Sequence, residues 1–153
     1  MTLIQKQQIV AALHYISPIF AKYNFRWCIS EGLTRYIYGI SDNVQEIAID
    51  LDVNKDDEKF KEFLKEIKDK ITLPLNHWHD KVYEHYVMEV TVDGMILSIC
   101  PTQNMNIFNK SSGQYELFYK EGVPTPNMVV FEGLEIPLLP KDRFVKMEEH
   151  LGK

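Results

Sequence analysis

This chain of 153 residues is short of several things, and each shortage excludes something. It has two cysteines, Cys28 and Cys100, each inside an apolar run (RWCIS and MILSIC). Two such residues make no disulfide framework; they read as small buried hydrophobes of a reducing compartment. No stretch approaches the ~20 apolar residues that cross a bilayer, so no membrane-spanning helix is expected. The opening MTLIQKQQIVAALHYISPIF has neither a basic start nor a continuous apolar core, unlike a secretory signal. Positive charge is in the minority: 17 Lys and Arg against 22 Asp and Glu leave a net charge of −5. That balance argues against broad nucleic-acid binding, which wants a basic footprint. No repeat, low-complexity tract or linker interrupts the chain. A cytoplasmic protein without membrane contact is the expectation.

What is present suits one globular domain over residues 1–153, since a chain of this length buries roughly 68–70% of its extended surface without a staple. Ile4, Ile9, Leu13 and Ile16 recur near helical spacing over about Leu3 to Tyr23. Pro18 is expected to kink that helix or begin a second turn, with Ser17 as its cap. FRWCIS (25–30) reads as a buried strand, Gly32 opens a short helix that ends near Gly39, and 46–53 is a second strand. Asn54 and Asp57 resemble a capping pair. They lead into KDDEKFKEFLKEIKDKI, whose Phe60, Phe63, Leu64, Ile67 and Ile71 form one stripe, with Pro74 expected to end the helix. Asp93-Gly94 and Glu132-Gly133 mark two tight hairpins. NKSSGQ and EGVPTPN mark loops, and Lys141–His150 a closing helix. The sum is an α/β (α+β) domain with a mixed β-sheet flanked by helices.

The stretch EIAIDLDVNKDD (46–57) carries the most chemistry. Side chains alternate along a strand, so Asp50 and Asp52 are expected to leave one face with Ala48 and Glu46, while Ile47, Ile49, Leu51 and Val53 enter the core. Two convergent carboxylates suit Mg²⁺, which takes oxygen ligands at about 2.0–2.1 Å and sits well between carboxylates and phosphates. Taken alone, such a pair at a strand end is more often simply solvated.

The stretch WCISEGLTRYIYG (27–39) resembles the opening of the nucleotidyltransferase superfamily related to DNA polymerase beta, which includes the lincosamide nucleotidyltransferases and MNT-type proteins. That opening is an aromatic, a hydrophobic strand, Gly-Gly or Gly-Ser, a short helix ending in Gly, a break, and a strand carrying Asp-x-Asp. Here the pattern becomes Trp27, Cys28-Ile29, Glu31-Gly32, Gly39 and the strand at 46–53. FEGLEIPLLPKDRFVKM (131–147) resembles the family's C-terminal hairpin, I-P run and capped helix. The resemblance implies a nucleotidyltransferase-like fold and Mg²⁺-dependent transfer of a nucleotidyl group from an NTP to an acceptor. It implies Asp50 and Asp52 as catalytic metal ligands with Glu46 beside them, and Ser30, Glu31, Gly32 and Arg35 as the nucleotide-binding turn. The chain departs from the pattern in four places. Glu31 replaces the first glycine. The two acids fall either on Asp50 and Asp52 or on Ala48 and Asp50. MILSIC offers Ser98 where a third carboxylate usually stands, with Glu89 as the substitute, and Lys146 or Glu148 takes the place of a helical Lys. These departures suit an alternative: a catalytically degenerate member that binds a nucleotide or a protein partner.

Other constellations carry less. NHWHDKVYEHY (76–86) gathers His77, His79 and His85, with His77 and His79 on one strand face. The spacing matches no closed zinc pattern, so surface histidines are the favoured reading. A weaker one makes one of them a general base on the substrate side of the cleft. Lys55 could meet phosphates, and Tyr83, Tyr86, Tyr115, Phe118 and Tyr119 could stack on a base. Ion pairing and hairpin packing are the commoner uses.

Overall fold

The computed structural model describes residues 1–150 of the chain. Helix α1 (Leu3–Lys22) begins in a capping box: the Thr2 hydroxyl accepts from the Gln5 N–H at 3.1 Å, and the Gln5 side chain accepts from the Thr2 N–H at 2.9 Å. Its buried side is Ile9, Leu13, Ile16 and Phe20. Pro18 lies inside the helix without breaking it, contrary to the expected restart at Ser17. Pro18 and His14 both lie on the exposed side, where water can satisfy the carbonyl that Pro18 leaves without a donor.

Strand β1 (Trp27–Glu31), helix α2 (Leu33–Ile37), strand β2 (Glu46–Leu51) and helix α3 (Glu58–Glu66) follow. The helix stops earlier than its apolar stripe suggests. A single tight turn covers Lys68–Lys70, and Ile71 already opens strand β3 (Ile71–His79), which contains Pro74. Proline is tolerated there because β3 pairs with β4 (Tyr83–Val92) alone among the described strands, and the register slips between Leu73 and Asn76, across the proline. Phe60, Phe63 and Ile67 are fully buried as the stripe predicted. The remaining elements are β5 (Met95–Pro101), β6 (Asn106–Asn109), β7 (Gln114–Leu117), β8 (Asn127–Phe131), β9 (Leu134–Leu138) and α4 (Lys141–His150). Asp93-Gly94 (φ 49° and 83°) joins β4 to β5 and Glu132-Gly133 (φ 49° and 82°) joins β8 to β9, both left-handed pairs as tight hairpins require.

The strands form one mixed sheet in the order β7-β6-β4-β5-β2-β1-β9-β8, with β3 added on β4. β2 runs parallel to β5; β1 is antiparallel to β2 and parallel to β9. One face of the sheet, with Ile47, Ile49, Leu51, Val90, Leu97 and Ile99, packs on α1 and α3. The other face is covered near its centre by a second apolar cluster that includes Cys28, Cys100, Tyr119, Val123, Phe144 and Met147. Among the described residues, no helix is long and apolar enough to cross a membrane.

Candidate functional site

The pairing of β1 with β2 sets the site. Cys28 lies opposite Asp50 and Ile29 opposite Ile49, and then a bulge at Ser30 brings Glu31 opposite Ala48. A bulge re-aims a side chain. Alternation keeps Ser30 on the Cys28 and Asp50 face, where its hydroxyl donates to Asp50 Oδ1 at 3.1 Å, and the bulge re-aims Glu31 to lie opposite Ala48 on that face. Gly32 then turns the chain with φ +67°, and a Cβ on it would lie 1.9 Å from the Glu46 carbonyl oxygen. The backbone of β2 is what requires glycine at this position. Thr34 secures the turn by donating to the Ile29 carbonyl at 2.7 Å.

Asp50 is only 4% exposed. Its second oxygen accepts the Tyr119 hydroxyl, so both oxygens are engaged by hydroxyl donors. Burial pushes its carboxyl up to about 6, against the opposing pull of the Tyr119 and Ser30 hydrogen bonds. The thiols of Cys28 and Cys100 are pushed up as well, first by burial and then by the Asp50 charge. Above Tyr119 sits the Arg143 guanidinium, 5.7 Å from the ring centre.

Asp52 lies one residue beyond the end of β2 and meets the same segment that brings Tyr119 to Asp50. The Asp52 N–H donates to the Arg26 carbonyl at 2.8 Å. Its carboxylate accepts from Gln103 Nε2 at 3.3 Å and from the Val123 N–H at 3.4 Å. It lines a cavity of about 470 Å³ with Arg26, Asp57, Lys59 and Gln103. Glu46 lines a different one, of about 360 Å³, with Glu31, Gly32 and Arg35. Of the expected nucleotide turn, Glu31, Gly32 and Arg35 line that cavity with Glu46, while Ser30 bonds to Asp50 and Asp52 lines the other cavity.

Three further placements follow from register. Ala48 lies opposite Ser98 and Ser98 opposite Glu89, so Glu89 leaves the same face as Glu46 and Asp50. Burial, and then the charge of Glu89, raise the Glu46 carboxyl. Arg35 is held in an ion pair by Glu148 of α4, itself 7% exposed. Lys55 pairs with Asp56 at 3.2 Å and lies 5.0 Å from the Tyr86 ring centre.

Mg²⁺ demands near-octahedral oxygen ligation. Asp50 has both oxygens in hydrogen bonds beneath Tyr119, and Asp52 and Glu46 line separate cavities. Among the described residues, no three His, Cys, Asp or Glu side chains are grouped to hold a metal ion. As arranged, the three acids do not surround one ion, and an ion at Asp50 would have to displace one of its two hydroxyl donors. The histidines likewise separate. His77 and His79 share a face, with ring centres 6.3 Å apart, and His77 pairs with Glu84. His85 is paired in register with Trp78, one position over from His77, so it leaves the opposite face. There it stacks on Tyr83 at 5.3 Å with its Nδ1 3.8 Å from the Cys100 sulfur, and burial lowers its pKa.

Tyr119 is the residue that sequence reasoning missed. From the sequence it is one of several aromatics suited to packing or to stacking on a base, and no spacing in ELFYK announces that its hydroxyl reaches a strand acid.

This sheet, with its glycine turn between β1 and α2 and the acid-bearing β2 beside it, is a nucleotidyltransferase-like fold. Three solved structures share it. The candidate nucleotidyltransferase TM1012 from Thermotoga maritima superposes with a TM-score of 0.64 at 17% identity, over 91% of this chain and 85% of that one. The lincosamide antibiotic adenylyltransferase LnuA, in its lincomycin-bound form, gives 0.52 at 18% identity over 88% and 82%. A nucleotidyltransferase-like antigenic protein from Paracoccidioides brasiliensis gives 0.50 at 12% identity over 93% and 65%. At such identities the likeness is one of fold. No family model matches the chain, and no curated protein matches its sequence.

Proposed function

We propose that this chain is a catalytically degenerate nucleotidyltransferase-fold protein, one that binds a nucleotide-type ligand without transferring it. The observation that carries this reading is Asp50, buried with both oxygens accepting hydrogen bonds from the hydroxyls of Ser30 and Tyr119. Nucleotidyl transfer relies on positioned ions and carboxylates around the phosphates. Asp50 acts here as a structural acceptor under an apolar cover. Glu31 sets a carboxylate at the turn a triphosphate would approach, and Arg35 is committed to Glu148.

A second reading is Mg²⁺-dependent transfer of a nucleotidyl group from an NTP to an acceptor hydroxyl or phosphate. Glu89 favours it, since register puts this acid on the face of Glu46 and Asp50. It requires Tyr119 to leave Asp50.

The two readings separate in a pyrophosphate-release assay. The purified protein is given each NTP with Mg²⁺ and a small-molecule extract as acceptor source, beside Asp50→Asn. No release above the Asp50→Asn background is expected. Release that vanishes in that variant overturns the binding reading.

A further inference from the structure

Away from the acid-bearing strand, a cavity of about 700 Å³ lies between the β6–β7 hairpin and α4. Its walls bring together Lys110, Lys120, Arg143 and Lys146, with Phe108 and Phe118 beside them. The chain as a whole carries a charge of −5, so four cations around one cavity run against the average of its surface. Two acids also line it, Glu116 and Glu149. Glu116 is already occupied: it accepts from Asn109 at 3.0 Å and Ser112 at 3.2 Å, and Lys120 lies 3.4 Å away. The Asn109 hydrogen bond is the largest of the influences that hold its carboxyl below the usual range. Lys110, Arg143 and Lys146 have no salt-bridge partner among the described residues. Three uncompensated cations around one Glu149 make a site whose missing partner is an anion.

The shape narrows the anion. A volume of this size lies within the roughly 300–1,000 Å³ of pockets that bury a small ligand. Phe118 is fixed edge-on against Tyr119 with ring centres 4.6 Å apart, and Phe108 against Tyr115 at 5.4 Å. Both rings are half-buried, so each still has surface to offer an aromatic base. We infer that this groove binds a phosphate-bearing small molecule of nucleoside triphosphate size, with its phosphates on Lys110, Arg143 and Lys146 and its base against the phenylalanines. The inference rests on the binding reading above for the class of ligand. It does not depend on whether the Asp50 face does chemistry. Arg143 also touches Tyr119, which places the groove one side chain away from the Asp50 hydrogen bond.

The test is calorimetric titration of ATP and of inorganic triphosphate, at low salt and without Mg²⁺. The proteins are the wild-type chain, Lys110→Glu/Lys146→Glu, and Lys61→Glu/Lys65→Glu on the exposed side of α3. The last variant makes the same change in net charge at a distance. Wild type is expected to bind both ligands, ATP the more tightly, with affinity falling as salt is added. The groove variant is expected to lose about tenfold per cation, the scale of one charge-assisted contact. The α3 variant is expected to bind as wild type does. Absence of binding by wild type overturns the inference, and so does equal weakening in both variants. Binding of ATP that the groove variant retains overturns the groove and leaves the binding reading in place, whereas absence of binding by wild type overturns both.

Discussion

The Tyr119 hydroxyl donates to the carboxylate of Asp50, a residue 69 positions earlier in the chain. That hydrogen bond fastens the segment after β7 onto the sheet face that carries the acids. It also gives Asp50 a role in stability with a definite sign.

The Asp50 carboxyl is raised from 3.8 to about 6 in the folded chain, chiefly by burial. Between those values the folded state holds a proton that the unfolded chain releases. The unfolding free energy therefore falls as pH rises from about 4 to about 6, and then levels. A shift of that size corresponds to about 3 kcal/mol. Asp50→Asn is expected to be the more stable protein at pH 7, with the difference from wild type opening across that window. Urea melts of both proteins between pH 4 and 7.5 measure it. A difference that stays flat with pH would sink the assignment.

Gly32→Ala tests why the turn needs glycine. The added Cβ would meet the Glu46 carbonyl at 1.9 Å, and φ +67° disfavours any L side chain. A loss of about 2–4 kcal/mol is expected from strain and forced separation of β1 from β2. Gly39→Ala makes a control: its φ is +79°, but nothing lies within 4 Å of the new atom. It is expected to cost about 1 kcal/mol. Equal costs in thermal melts would show that crowding against Glu46 is not the reason.

The Arg35–Glu148 pair ties α2 to the closing helix with one partner buried. Removing either side chain breaks this pair in a partly dry setting. Arg35→Ala and Glu148→Ala are each expected to cost about 2–4 kcal/mol. The double variant is expected to cost less than the sum, with a coupling of about 1–3 kcal/mol. Additive losses in denaturant melts would mean that the pair carries no energy of its own.

Much of the fold was legible because its signals are local. Apolar spacing drew α1 and α3, and two X-Gly turns drew the hairpins at Asp93 and Glu132. The end of α3 was not legible: Ile71 continues the helical stripe, yet it pairs with Val90 on β4, and long-range pairing won over local period. β6 and β7 were hidden for a related reason, since four-residue strands carry too little alternation to read. At the candidate site, strand alternation placed Glu46 and Asp50 on one face. Asp52 lies one residue beyond the strand's end, and its carboxylate meets the Val123 N–H in the segment that also brings Tyr119 to Asp50. What covers Asp50 was illegible altogether, because Tyr119 arrives from a loop whose course no spacing encodes.

The parallel contact between β1 and β9 has a consequence for how the protein is made. Ile29 and Leu138 are neighbours in the sheet but are synthesised 109 residues apart. Until the last hairpin is synthesised, β1 has a partner on one edge only, and the open edge is the kind that pairs with other nascent chains. Ribosomes that stall before that hairpin would therefore release a product with a sticky strand in the middle of its sheet. Emergence of that hairpin is the step that seals it.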